Sequence, residues 1–397
     1  MMQASPSSTP PFHVLIVGGG GTGGALAHDL TLRGLKVTLV ERGEFTSGTT
    51  GRHHGLLHSG ARYAVNDHES AVECIEENTI LRRICPGSFE ENDGLFVAIT
   101  DEDMAYYDDF VKGCAESEIP AQELSARDAL ALEPLLNPGL KAAVRVPDAT
   151  MDAMRMPLRF FATAKHNGAE LRNYMEVLEL LLDHRTVGGA IVRDHVTGKV
   201  GEIRADLVVN ATGPWSESVA TMAGVNVPIR PSPGVMLALR GRLCNMVVNR
   251  MHRSGDGDIV VPQRALSVVG TSSWTVEDPD DLDVPQDHVR RMVEEGSKLI
   301  PAVANAEFRA AWSSARPLIG STEEADGGRE LSRTFKTYDH AETDGVEGFV
   351  TITGVKGTTL RGMAELCADV ICRKLGVQAE CRTRETVLLP HEAFYAA

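Results

Sequence analysis

The stretch His13-Val-Leu-Ile-Val-Gly18-Gly-Gly20-Gly-Thr-Gly23-Gly, with Ala25 to Leu32, Gly34 and Val37-Thr-Leu-Val-Glu41 behind it, decides how this chain folds. Val14 to Val17 is an apolar run of strand length, Ala25 to Leu32 reads as a helix, and Gly34 closes that helix before a second apolar run, Val37 to Val40. Gly18-x-Gly20-x-x-Gly23 sits at the strand-to-helix turn, the arrangement of a βαβ dinucleotide fingerprint. Each glycine has a physical task. Gly18 turns the chain, Gly20 lets amide N–H groups approach a pyrophosphate, and Gly23 lets helix and strand pack closely. The pyrophosphate then meets unpaired N–H groups at a helix N-terminus, where the helix dipole favours an anion. Glu41 ends the second strand with a carboxylate that accepts from ribose hydroxyls and repels a 2′-phosphate.

Outward from this unit, a length of 397 residues predicts two intimately joined domains. The formal net charge of −16 argues against nucleic acid and against anionic lipid, and makes any local cluster of cations informative. Seven scattered cysteines without a C-x-x-C pair predict reduced thiols in a cytoplasmic protein and indicate no metal site. Residues 1–11 are Ser/Pro-rich and lack the regions of a signal peptide, so a disordered lead is expected. No apolar run approaches the ~20 residues of a membrane-spanning helix.

Three further stretches carry chemistry. Phe45-Thr-Ser-Gly-Thr49-Thr50-Gly51-Arg-His53-His54-Gly55-Leu-Leu57-His58-Ser-Gly-Ala-Arg62-Tyr63 mixes glycine, hydroxyl, imidazole and guanidinium groups, and its backbone donors can lie against a flat ring system. Ala205-Asp-Leu-Val-Val-Asn-Ala211-Thr-Gly213-Pro-Trp215 is a buried strand that brings backbone to whatever the first unit binds. Gly348-Phe-Val-Thr-Ile-Thr-Gly354-Val-Lys356-Gly357-Thr358-Thr359-Leu-Arg361 is a strand, a turn and a helix start. The N–H groups of that turn can face an anionic ring edge. The helix beyond it places Leu360, Met363, Ala364, Cys367, Val370 and Ile371 on one face.

Between these stretches the periodicity predicts helices over 69–84, 103–117, 157–166 and 286–299, with a helix start at Ser125. Strands are expected at 94–99, 169–171, 177–182, 187–192, 207–210, 235–239, 259–261 and 266–269.

The stretch from Thr50 to Tyr63, Val208-Val-Asn-Ala-Thr-Gly-Pro-Trp215, Ala315-Arg316-Pro-Leu318 and Phe349 to Arg361 together resemble the FAD-dependent glycerol-3-phosphate dehydrogenases, above all the catalytic subunit of the anaerobic bacterial enzyme. The resemblance spans roughly residues 12–390. It implies an α/β, Rossmann-like FAD-binding domain of the amino-acid-oxidase type with a smaller strand-rich α+β substrate domain. The FAD domain is expected from 12–90, 150–225 and 316–376, the substrate domain from 91–149 and 226–315, and a C-terminal tail from 377–397. FAD contacts are expected at Gly18, Gly20, Gly23, Glu41, Thr49, Thr50, Gly51, His54, Gly55, Leu57, Val177, Ala211, Gly213, Gly354, Lys356, Gly357, Thr358 and Thr359. Arg62, Tyr63, Arg316, Lys356 and Arg361 are expected to bind substrate. Four of these are cations in an acidic chain, which by itself points to an anion site, charge-assisted contacts to phosphate being worth about 1.5 to 3 kcal/mol each. The family usually carries Gly-Gly-Lys-Leu/Met-Thr-Tyr-Arg here. This chain has Val355 for the second glycine, Gly357 for the bulky residue and Leu360 for the tyrosine, which predicts a reshaped pocket.

The expected activity is oxidation of the secondary alcohol of sn-glycerol 3-phosphate, or a close phosphorylated or phosphonate analogue, to the ketone by hydride transfer to flavin N5. His58 is the expected base, its ordinary pKa near ~6.5 suiting proton transfer at neutral pH. Arg316 is expected to stabilise the developing alkoxide and, with Lys356 as a further catalytic residue, to act on the reacting part of the substrate, while Arg62, Lys356 and Arg361 grip the anionic group. The competing expectations are an oxidase or dehydrogenase of a 2-hydroxy or amino acid, since His58-Ser59-Gly60 is also similar to 2-hydroxyglutarate dehydrogenases, and a flavin-binding subunit without turnover. With no second nucleotide fingerprint, a separate electron acceptor is expected: a quinone at a peripheral membrane contact, a partner subunit, or oxygen.

Overall fold

The computed structural model describes residues 11–253, 255–320 and 335–396, and the expected lead, up to residue 10, lies outside them. The opening stretch forms the strand His13–Val17, the helix Gly21–Leu32 and the strand Lys36–Val40. The two strands pair in parallel, with His13 opposite Lys36 and Val17 opposite Val40. They sit inside a six-stranded sheet ordered Lys336–Asp339, Phe349–Thr353, Leu207–Asn210, His13–Val17, Lys36–Val40, Glu170–Arg172. All its pairings are parallel except that of the edge strand Lys336–Asp339.

Alternation along the first strand explains why both faces of this sheet are covered. Val14 and Ile16 pack into a core with the helices Gly21–Leu32, Arg155–His166 and Leu360–Leu375. Leu15 and Val17 pack into another with Leu180, Val187 and Val192 of an antiparallel three-stranded sheet, Met175–Asp183, Thr186–Asp194 and Val200–Arg204. A second, eight-stranded sheet is ordered Phe308–Ile319, Ile229–Arg240, Leu266–Gly270, Ile259–Gln263, Val247–Arg250, Gly94–Ala98, Ala142–Val146, Gln122–Ser125. The helix Gln286–Leu299 buries Met292 and Leu299 in its core.

Several elements differ from the pattern-based expectation for physical reasons. The helix expected over 103–117 starts early, at Asp101, where Thr100 and Asp103 form a capping box, and is two helices, Asp101–Ala105 and Tyr107–Glu116, divided at Tyr106, whose N–H bonds three residues back to Asp103 O. The strand expected over 235–239 runs from Ile229 to Arg240 despite Pro231 and Pro233. Those prolines lie where Leu266–Gly270 no longer pairs, and their carbonyls accept from Trp274 N and Val276 N, so no ladder donor is lost. Its partner Phe308–Ile319, which includes Pro317, was not expected at all.

Helix Gly21–Leu32 holds His28 at 0 % exposure against Phe160, and neither ring nitrogen has a partner among the described residues. Burial lowers its pKa from 6.5 to about 4. A depressed folded pKa means that stability is whole above pH 6.5 and falls as the pH drops towards about 4. Replacing His28 with Leu is therefore expected to flatten the acid limb of unfolding free energy by about 3 kcal/mol across that window. Chemical denaturation at a series of pH values checks this, and an unchanged acid limb refutes it.

Candidate active site

Two neighbouring cavities share the walls formed by Thr49, His53, Ser314 and Val355 to Gly357. The larger, about 500 Å³, is built on the glycine turn. Gly18 has φ +111°, and a Cβ there would stand 2.5 Å from the Ala211 carbonyl oxygen. A Cβ on Gly23 would stand 2.0 Å from the Gly18 oxygen, so helix and strand meet at a distance only glycine permits. N-cap Gly20 supplies no side-chain oxygen and the first helical turn contains no acid, which leaves this helix end to an anion. Glu41 fixes the turn by accepting from Gly19 N at 2.7 Å and from Gly43 N at 2.8 Å, and Thr50 Oγ1 accepts from Gly21 N at 2.9 Å. Val177, Ala211, Gly213, Gly354, Lys356 and Gly357 line the same cavity, with Thr49, Thr50, Gly18, Gly20 and Glu41. A close-backbone cradle, an open helix N-terminus and a carboxylate just past the second strand fit a dinucleotide with a free ribose hydroxyl pair.

The smaller cavity, about 120 Å³, is lined by His53, His54, His58, Arg62, Tyr63, Arg316 and Lys356. The rings of His54 and His58 lie 6.2 Å apart, and those of His58 and Tyr63 5.7 Å apart. Burial lowers His53 to about 4. His54 falls well below its ordinary value through burial, then through His58, His53, Arg62 and Arg316. Both rings are therefore neutral at neutral pH, and His53 Nδ1 accepts from Gly55 N at 2.9 Å.

The four expected cations do not stand alike. Arg62 donates through Nη2 to both oxygens of Asp258, at 2.6 and 2.7 Å. Lys356 Nζ donates to Ser70 Oγ at 2.7 Å and Glu73 Oε2 at 2.9 Å, and lies 5.5 Å from the Tyr63 ring centroid. Arg316 donates to the Thr271 hydroxyl and to the carbonyls of Ser232 and Ser272 at 3.3 and 3.2 Å. Arg361 does not join them. It lines neither cavity, is 1 % exposed, and is held by Glu77, Glu365 and Thr383.

Other expected positions support the walls instead of lining them. Gly55 has φ +80° and backs onto Gln263 and the Met151 carbonyl, while Leu57 is buried in a short strand opposite Ala149. Gly51 donates to Thr46 O at 2.8 Å, and Thr358 Oγ1 accepts from His58 N at 3.0 Å. Thr359, after the turn, is buried and hydrogen-bonded back to Lys356 O. Of the departures from the family pattern, Val355 and Gly357 border both cavities, but Leu360 lines only the larger one, against Gly21. It replaces the family's tyrosine beside the glycine turn and not in the smaller cavity.

Sequence reasoning missed Asp258, Ser70, Glu73, Thr271 and Gln263. Gln263 Nε2 donates to the carbonyls of His54, Gly55 and Met151 at 3.0, 3.3 and 3.1 Å. His53 belongs to a stretch already singled out, and its clustering with two other histidines was the available signal.

A family model described as FAD dependent oxidoreductase matches residues 13–370. The chain is 43 % identical over 411 residues to a subunit of the anaerobic glycerol-3-phosphate dehydrogenase of Haloferax volcanii, covering 99 % of this chain and 68 % of that protein. It is 42 % identical over 377 residues to a subunit of the anaerobic glycerol-3-phosphate dehydrogenase of Escherichia coli (strain K12), covering 94 % and 69 %. Among solved structures, glycerol-3-phosphate dehydrogenase from Bacillus halodurans, complexed with FAD, superposes with a TM-score of 0.73 at 23 % identity, over 96 % of this chain and 68 % of that one. Glycine oxidase from Bacillus cereus ATCC 14579 superposes at 0.74 with 20 % identity, over 94 % and 99 %. At such identities the two structures establish the shared fold.

Proposed function

The chain belongs to the FAD-dependent oxidoreductase family, and from that premise we propose that it oxidises the secondary alcohol of sn-glycerol 3-phosphate, or a close phosphorylated or phosphonate analogue, to the ketone. The observation that carries this reading is the smaller cavity, where three histidines, two arginines and a lysine border the larger one built on the glycine turn. The division expected from the sequence is part of the proposal: 12–90, 150–225 and 316–376 hold the cofactor, while 91–149 and 226–315 cover the substrate.

FAD, held by the glycine turn, Glu41, Thr49, Thr50, Ala211 to Gly213 and Gly354 to Gly357, supplies the two-electron acceptor for the carbinol hydrogen. His58 takes the hydroxyl proton on its imidazole, while burial lowers the neighbouring His53 and His54 below an ordinary imidazole and makes them poorer proton acceptors than a free one. Arg316 directs N–H donors at the substrate oxygen on which negative charge develops. Arg62 and Lys356 attract the phosphate. Asp258 and Glu73 already neutralise part of that charge, which keeps the cavity from trapping any anion indiscriminately.

The electrons taken from the substrate would leave to a separate acceptor. The names of the curated relatives favour a partner subunit, with a quinone or oxygen as the competing acceptors. Among the described residues no helix is long and apolar enough to cross a membrane. The proposal places the protein in the cytoplasm, with peripheral contact at the inner membrane face if the acceptor is a quinone. Incubating holoenzyme with glycerol 3-phosphate and a dye acceptor is expected to produce dihydroxyacetone phosphate, one molecule for each pair of electrons reaching the dye. Dye reduction by a 2-hydroxy or amino acid, with none by glycerol 3-phosphate, overturns the reading.

A further inference from the structure

We infer that Asp148, with Asn78, is a positioning residue that holds the His58-Ser59-Gly60 turn in register and so sets where the His58 imidazole stands in the substrate cavity. The inference rests on the proposed role of His58 as base.

The turn is gripped from two sides by groups outside the cavity. Asp148 lies between the strands Ala142–Val146 and Ala149–Met151, is 1 % exposed, and accepts from Ser59 N through Oδ1 at 2.7 Å. On the other side, Asn78 Nδ2 donates to His58 O at 2.9 Å and to Pro147 O at 3.1 Å. Asn78 is itself oriented by Arg82 Nε, 2.7 Å from its Oδ1, while Arg82 Nη2 donates to the carbonyls of Pro147 and Asp148, both at 3.0 Å. The segments 58–59 and 147–148 are thus fastened side by side, with the helix His68–Ile84 supplying the donors.

The surroundings are shaped for this carboxylate. A Cβ on Gly94 would stand 2.6 Å from Asp148 Oδ2, so only glycine leaves room for it. A Cβ on Gly60, which has φ +94°, would stand 2.2 Å from Ala71 O, so the turn has no freedom to slide towards the helix. Burial raises the Asp148 carboxyl to about 6 against the Ser59 and Asn249 hydrogen bonds and the Arg82 charge. A carboxylate kept in so unfavourable a place, fastened to the residue after the base, supports a role in placing that base more than in stability. Removing it leaves Ser59 N, in a residue at 0 % exposure, without its acceptor.

The test compares Asp148→Ala, Asp148→Asn, Asn78→Ala and His58→Gln in the full-length holoenzyme by anaerobic stopped-flow reduction with glycerol 3-phosphate. Asp148→Ala and Asn78→Ala are expected to slow flavin reduction at saturating substrate by about 10- to 100-fold, the scale of a misplaced catalytic group. Half-saturation and bound FAD stay within about threefold of wild type. Asp148→Asn keeps an oxygen for Ser59 N, and a flipped Asn249, whose Oδ1 has no partner among the described residues, accepts from its amide. This variant is expected to stay within about threefold of the wild-type rate. A wild-type rate in Asp148→Ala, a rate loss matched by loss of FAD or of saturation, or an Asp148→Asn variant as slow as Asp148→Ala overturns the inference. If Asp148→Ala does not fold, a wild-type rate in Asn78→Ala does so. An unslowed His58→Gln instead overturns the assignment of the base, whatever Asp148 does.

Discussion

Replacing Arg361 with Met is expected to lower the unfolding free energy by about 3–5 kcal/mol, the cost of removing one partner of a buried ion pair, while leaving substrate affinity nearly unchanged. The guanidinium reaches both carboxylate oxygens of Glu77 and donates to Glu365 Oε2 at 2.6 Å and Thr383 Oγ1 at 2.9 Å. It thereby ties the helix Leu360–Leu375 to the helix His68–Ile84 and to the C-terminal segment. Burial already raises the Glu77 carboxyl against the pull of Arg361, and without that pull it rises further. A raised folded pKa gives stability that is whole at low pH and lost as the pH rises through it. The deficit of the variant is therefore smaller at acid pH than at alkaline pH. Removing Glu77 as well, in Arg361→Met/Glu77→Met, is expected to recover most of the loss, because Glu365 keeps Arg384 as a partner at 3.1 Å. Denaturant titrations of the single and double variants at two pH values measure this. A variant of wild-type stability that binds glycerol 3-phosphate weakly refutes it and returns Arg361 to the substrate site.

The second large effect concerns Arg316. Changing it to Lys conserves the charge but removes a planar fork whose donors now engage Thr271, Ser232 and Ser272. Gly234 is cut to fit that fork, since a Cβ there would stand 2.5 Å from the Arg316 Nη2. A donor acting mainly on charge that develops in the transition state is worth about 2.7 to 4 kcal/mol, or roughly 10² to 10³ in rate. Arg316→Lys is expected to slow anaerobic flavin reduction by that factor with FAD content unchanged. Reduction at the wild-type rate and with wild-type affinity removes this arginine from the active site.

The parts of the molecule that were legible beforehand are those whose constraints are local. The glycine turn could be read because Gly18 and Gly23 meet atoms a few residues away or in a strand with its own signature. The helix Gln286–Leu299 was read to the residue, as was the strand Leu207–Asn210. The strand Phe308–Ile319 escaped because its identity comes from pairing with Ile229–Arg240, a long-range partner, and not from alternation of its own residues.

The same division runs through the site. His58, Arg62, Tyr63 and Arg316, all singled out by their motifs, line the smaller cavity. Which cations are neutralised was not legible, because the deciding carboxylates are remote: Glu77 and Arg361 are 284 positions apart, and Asp258 and Arg62 are 196. Only five positions separate Lys356 from Arg361, yet the first lines the cavity and the second is buried away from it. Local spacing says nothing about which side of the chain those acids approach. The same holds for Leu360, whose placement against Gly21 depends on how two distant helices meet.

The central claim, an FAD enzyme that takes electrons from a phosphorylated secondary alcohol, is tested most directly by mixing the holoenzyme with single substrates in the absence of oxygen and any acceptor, and following the flavin absorbance. Glycerol 3-phosphate is expected to bleach the flavin fully, within seconds and with saturation, while 2-hydroxyglutarate, glycine and proline leave it oxidised. An oxidised spectrum with glycerol 3-phosphate, beside rapid bleaching by one of the acids, contradicts the account.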